Sequence, residues 1–159
     1  MLLTAGGAAH HLEQSKSTAF CLTCHIMEPY GESLESEDAD LLASVHFQNR
    51  LVDTDSACFT CHTSYAMYGD VAAKWAGARH MMVQYFGTPS HPIELYQPYR
   101  NRECLHCHDG AQRFEENEFH TDIRVDLGSE EISCLECHGP AHGVSDDVAR
   151  LAATGGNDV

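Results

Sequence analysis

The chain has 159 residues, the length of one ordinary domain, and its 24 acidic against 9 basic residues give a formal charge of −15. An acidic balance of that size makes a poor nucleic-acid binder and repels anionic lipid head groups, so a soluble redox partner should meet the chain with a basic patch. No stretch reaches eighteen uncharged apolar residues, so nothing in the sequence reads as a bilayer span.

In chain order, Met1 to Ala9 is apolar but short, and it carries no basic leader. The expectation is an export signal or anchor that has been removed or omitted, or the tail end of a membrane helix. His10 to Phe20 is polar and leads to Cys21-Leu22-Thr23-Cys24-His25. Met27-Glu28-Pro29-Tyr30 then reads as a turn that stops any helix begun at Cys21. Glu32 to Asp40 reads as an acidic loop or solvated helix face, and a short helix carrying His46 is expected from Ala39 to Arg50. Cys58-Phe59-Thr60-Cys61-His62 follows.

The longest helix is predicted from Asp70 to Phe86, with Asp70 as N-cap and Gly87 as the stop. Val71, Trp75, Ala78, Met82 and Phe86 share one stripe at helical spacing, with Lys74, Gly77 and Met81 on an adjoining face. Pro89, Pro92 and Pro98 make the next stretch an irregular connection. After it come Cys104-Leu105-His106-Cys107-His108, an acidic segment from Glu115 to Asp122 containing His120, and Cys134-Leu135-Glu136-Cys137-His138, which runs into Gly139-Pro140-Ala141-His142-Gly143. The end of the chain reads as a short helix and a frayed tail. The organisation expected is a lead-in over 1–17, a body over 18–145 and a tail over 146–159.

All 8 cysteines fall in four copies of Cys-x-x-Cys-His. Disulfides or zinc sites would use paired cysteines as well, but neither explains a histidine directly after every pair. The pattern is the attachment signature of c-type haem: two thiols add across the vinyl groups, and the histidine is held on one face of the macrocycle. The expected cofactors are four haems c, on Cys21/Cys24, Cys58/Cys61, Cys104/Cys107 and Cys134/Cys137, with His25, His62, His108 and His138 as proximal groups. With about forty residues per haem, the porphyrins must supply much of the apolar interior, which predicts a mainly α fold with long loops and little or no sheet. Folding should then depend on the cofactor.

Fast electron transfer favours a second axial ligand on each iron. Of the remaining histidines, His106 is confined inside its motif and His10 and His11 sit at the end of the chain. His46, His80, His91, His120 and His142 are the distal candidates. Met27 lies two residues beyond His25, so the two cannot reach opposite faces of one haem. Either Met27 packs, or it takes the place of His25 on the same side of the iron.

Phe20 to Met27, His46 ahead of Cys58, His120 before the last motif, and Cys134 to His142 together resemble the NapC/NirT family of tetrahaem cytochromes, from about Thr18 to Gly143. The resemblance implies Met27 as an axial ligand of the first haem, and His46, His120 and His142 as distal ligands of the third, fourth and second. It also implies a quinol dehydrogenase anchored by one N-terminal helix at the periplasmic or extracytoplasmic face of the membrane. Such a protein draws on menaquinol and passes electrons to a periplasmic reductase or carrier, with Lys74 as the candidate quinol-site residue. The sequence departs from the family in lacking the anchor helix and in placing Met81 and Met82 where a carboxylate is expected after the lysine. A soluble or assembled carrier without quinol oxidation, such as a filament subunit, and a haem reductase of a small nitrogen or sulfur oxyanion stand as alternatives. Whether the chain is itself an enzyme is left open by the sequence.

Overall fold

Short helices joined by turns make up the architecture, as expected from a sequence that spends its helical periodicity on brief motif segments. The computed structural model describes residue 7 and residues 10–38, 40–90 and 92–144, and these contain helices but no strand. The expected C-terminal helix and tail, Ala39, His91 and most of the apolar start lie outside the described residues. Among the described residues no helix is long and apolar enough to cross a membrane. The chain divides into two compact units, and each holds two of the four motifs.

The first unit takes the chain up to His62, Pro89–Ile93 and Pro140 onward. Its helix Thr18–Cys21 is capped by Ser17, whose Oγ accepts from Phe20 N at 3.1 Å. That helix ends at Cys21 itself rather than being stopped at Pro29. Pro29 instead sits in the first turn of a new helix, Glu28–Glu32, where a missing N–H costs nothing. The Glu32–Asp40 stretch is not wholly solvated either: Ser33 and Leu34 are buried within a 3₁₀ turn, Ser33–Glu35. The helix expected from Ala39 to Arg50 spans Leu42–Gln48. It has no side-chain cap; Leu42 N and Ala43 N donate to the carbonyls of Pro140 and Ala141, at 3.3 and 3.0 Å. The segment carrying His142 is thereby fastened to the helix carrying His46. The approach is tight, since a Cβ on Gly143 would stand 2.8 Å from Leu41 Cδ1.

The second unit takes Thr63–Thr88 and Glu94–Gly139. Its long helix, Gly69–Phe86, begins one residue before the predicted N-cap, which leaves Asp70 in the first turn, where a negative charge suits the helix dipole. Glycine is required at 69: a Cβ there would lie 1.4 Å from the Ser64 carbonyl oxygen. The helices Asn101–His108, Gln112–Glu115, Glu118–Asp122, Arg124–Ser129 and Cys134–His138 complete the unit.

Side chains contribute little interior. Among the described residues the buried apolar ones are Leu34, Leu41, Ala57 and Leu127, whereas Met67, Trp75 and Phe86 are 88%, 77% and 81% exposed. A 17.5 kDa chain with so few buried apolar groups has an interior that must come mostly from something other than its side chains.

Candidate haem-binding site

In three motifs the helix runs through the cysteines and ends on the histidine: Ala57–His62, Asn101–His108 and Cys134–His138. Cysteines three apart, with a histidine one residue further, then share one helical face, which is what a single macrocycle gripped by two thioethers and one imidazole needs. The first motif differs. Its helix ends at Cys21, Cys24 is extended at φ −95° and ψ 123°, and a 3₁₀ turn spans His25–Met27. The His25 side chain is 72% exposed, with Nδ1 2.8 Å from Glu28 Oε1. Met27 is half-buried at the end of the same turn. The two residues the sequence leaves in competition are thus separated, with His25 turned to water and its neighbouring carboxylate.

The thiols meet across motifs. A hydrogen bond with Cys21 is the main reason that the Cys58 thiol falls to about 7, with Thr18 adding to it and burial opposing it. In the second unit Cys134 is hydrogen-bonded with Cys104, although there burial prevails and raises the thiol.

Two histidine pairs face each other. The rings of His62 and His142 lie 6.2 Å apart between centroids with planes 11° apart. Those of His120 and His138 lie 5.9 Å apart at 39°. Imidazoles at about this separation, each giving one ring nitrogen, would fit a single haem iron between them. Ser33 fixes the tautomer of His142. Its hydroxyl proton goes to the Tyr30 carbonyl at 2.7 Å, so its contact with His142 Nδ1, also 2.7 Å, must be accepted from an Nδ1–H. Nε2 then carries the lone pair, the form a metal ligand needs. Burial, with the charge of His62 second, lowers His142 to about 4, so it is neutral near pH 7. His120 Nδ1 is buried with no hydrogen-bond partner among the described residues.

His46 Nδ1 lies 2.7 Å from the Leu42 carbonyl one turn earlier, which makes it the protonated nitrogen. His46 belongs to the first unit and His108 to the second. His106 stacks on Tyr65 at 3.7 Å and 8°. Arg79 lies 3.9 Å over the Tyr96 ring while Tyr96 Oη meets His80 Nδ1 at 3.3 Å, so these three engage one another rather than converge on a ligand. Lys74 is half-buried on the Gly69–Phe86 helix, whose exposed face carries Val71, Trp75, Met82 and Tyr85. Ser33, Thr18 and Asn101 were not singled out from the sequence. The one sequence signal is that Thr18 and Asn101 each stand three residues before the first cysteine of a motif.

A family profile described as the NapC/NirT cytochrome c family, N-terminal region, matches residues 1–102. The chain belongs to the NapC/NirT cytochrome c family. The cytochrome c-type protein NapC of Haemophilus influenzae is 24% identical to this NapC/NirT cytochrome over 162 aligned positions, which take in 91% of this chain and 76% of that protein. No solved structure matches it. Membership makes it a multihaem electron-transfer cytochrome with covalently bound haem c. The profile ends just before Cys104, so the third and fourth attachment sites rest on their motifs and on the geometry above.

Proposed function

We propose that this NapC/NirT cytochrome holds four haems c and relays electrons from a membrane quinol of the menaquinol type to an acceptor on the periplasmic or extracytoplasmic side. The acceptor would be a soluble redox protein or a terminal reductase. Haem c, when bound, supplies an iron that takes and gives one electron at a time. Cys21/Cys24, Cys58/Cys61, Cys104/Cys107 and Cys134/Cys137 hold the four groups. His62, His142, His138, His120, His108 and His46 would each give a ring nitrogen to a haem iron, and Met27 would give its sulfur at the first site in place of His25.

The observation that carries the quinol reading is the exposed apolar face of the Gly69–Phe86 helix. Val71 is 68%, Trp75 77%, Met82 59% and Tyr85 73% exposed, and Lys74 lies on the adjoining face. Large apolar side chains beside a cation on one helix suit the boundary of a bilayer, with aromatic rings at head-group level and an ammonium that snorkels to water. A quinol gives up two electrons and two protons on becoming a quinone. Lys74 Nζ would hold a quinol oxygen through a charge-assisted hydrogen bond while Trp75 and Met81 bound the ring.

The test is Lys74→Gln in membranes that carry the protein with its anchor. Reduction by a menaquinol analogue should be lost, while reduction by dithionite is unchanged, because the haem chain is untouched. Normal quinol turnover by Lys74→Gln would remove Lys74 from the site. A protein in membranes that accepts electrons from dithionite but never from quinol would point to the carrier function without quinol oxidation.

A further inference from the structure

The two units use the same joint, made from different residues. In the first, Thr18 opens the helix that leads to Cys21. Its Oγ1 donates to the Thr54 carbonyl at 2.8 Å and accepts from Ala57 N at 2.9 Å. Ala57 is the first residue of the helix bearing the second motif. In the second unit, Asn101 opens the helix that leads to Cys104. Its Oδ1 accepts from Cys134 N at 2.8 Å, and its Nδ2 donates to the carbonyls of Leu127 and Ile132 at 2.9 and 2.5 Å. Cys134 is the first residue of the helix bearing the fourth motif.

Both side chains are buried, Thr18 at 8% and Asn101 at 2% exposure. Each takes up an N–H at the start of the other helix, a cap supplied from another motif helix; on the Cys134–His138 helix it adds to the capping box of Ser133 and Glu136. One turn beyond each cap, the first cysteines of the two motifs lie beside each other, Cys21 by Cys58 and Cys104 by Cys134. The helices are therefore locked start to start, with an attachment thiol of each against the other. The residues bridged are 39 apart in one unit and 33 in the other, so the likeness is one of joint geometry and not of sequence.

We infer that Thr18 and Asn101 are positioning residues that set the mutual placement of two haems in each unit, first with second and third with fourth. The inference rests on the reading that all four cysteine pairs carry haem. Each cap fixes the start of one motif helix relative to the other, and the thioether sulfurs follow the helices. Loss of the cap lets one motif slide against its neighbour while leaving every thiol and axial histidine in the chain.

The experiment uses the holoprotein and reads the Soret circular dichroism couplet, which arises from coupling between neighbouring haems and falls as they separate or turn. Mass spectrometry and low-temperature EPR on the same samples give haem number and axial ligation. Thr18→Val, which keeps shape but removes the hydroxyl, should lose part of the couplet with haem number and low-spin signals unchanged. Thr18→Ser should restore it. Asn101→Leu should lose the complementary part, and the double variant both, since the two joints act in separate units. Where Asn101→Leu yields little protein, Asn101→Asp keeps the acceptor for Cys134 N and should keep most of the couplet. An unchanged couplet in Thr18→Val, with only thermal stability reduced, would overturn the inference. A wild-type mass short of four haems would overturn the four-haem reading first, and this inference with it.

Discussion

His62 closes the helix of the second motif, and His142 faces it from a segment that the chain reaches only after the fourth motif, ring to ring at 6.2 Å and 11°. Ser33 holds the far histidine in the tautomer that presents Nε2, and the Pro140 and Ala141 carbonyls fasten its segment to the Leu42–Gln48 helix. His142→Ala should turn one low-spin haem high-spin in the EPR spectrum with all haems still attached. Ser33→Ala leaves His142 Nδ1–H without its acceptor in a half-buried place, a loss of about 1–3 kcal/mol in stability. Thermal denaturation of the holoprotein checks it, with His142 ligation retained but its EPR signal broadened.

His120→Ala and His46→Ala should each convert one further haem to high spin, whereas His106→Ala should convert none. His106 is committed to Tyr65 at 3.7 Å, within the motif that holds it. The count of low-spin signals in each variant is the measurement. An unaltered spectrum in His120→Ala would remove that residue from the ligand set.

Replacing His25 and Met27 should have opposite effects. Because the first motif leaves the helix at Cys21 and turns His25 toward Glu28 and water, His25→Ala should leave all axial signals in place. Met27→Leu should change the ligand field of one haem and lower its potential, as loss of a thioether ligand does. Potentiometry followed optically separates the two. A spectrum altered by His25→Ala and not by Met27→Leu would give the iron to the histidine.

Glu103 should give the protein an acid limb. Its side chain is 8% exposed, and burial, the largest single influence, pushes its pKa up. The Tyr65 N–H at 2.8 Å, the Arg102 guanidinium and the Ser64 hydroxyl together outweigh burial and hold the carboxyl below its ordinary 4.5. With the folded value depressed, the unfolded chain binds the proton first. The stabilisation is complete above the ordinary carboxylate range and is lost as pH falls below it. Glu103→Gln should lower stability at neutral pH and flatten this limb of the pH–stability curve, measured by denaturant unfolding at a series of pH values.

Mass spectrometry of the mature chain should find four covalent haems. Cys61→Ser should leave that group on one thioether or lose it, and a wild-type mass matching fewer than four would end the four-haem reading.

Cofactor and helical class were legible from residue type alone. Cys-x-x-Cys-His places its three groups within five residues, so local helix geometry brings them to one face whatever the rest of the chain does, and four such motifs in 159 residues leave room for little but short helices. The long helix with its Lys74 face was legible for the same reason, because periodicity is local. Long-range pairing was not. Nothing in the spacing says that Thr18 will cap the helix of Cys58, that Asn101 will do the same for Cys134, or that Ser33 will hold His142 from 109 residues away. The break of the first motif at Cys21 was also hidden, since Cys-Leu-Thr-Cys-His and Cys-Phe-Thr-Cys-His carry nearly the same local preferences and adopt different backbones. Each of these depends on hydrogen bonds that close only once distant segments have met, and their energies appear in no window of the sequence.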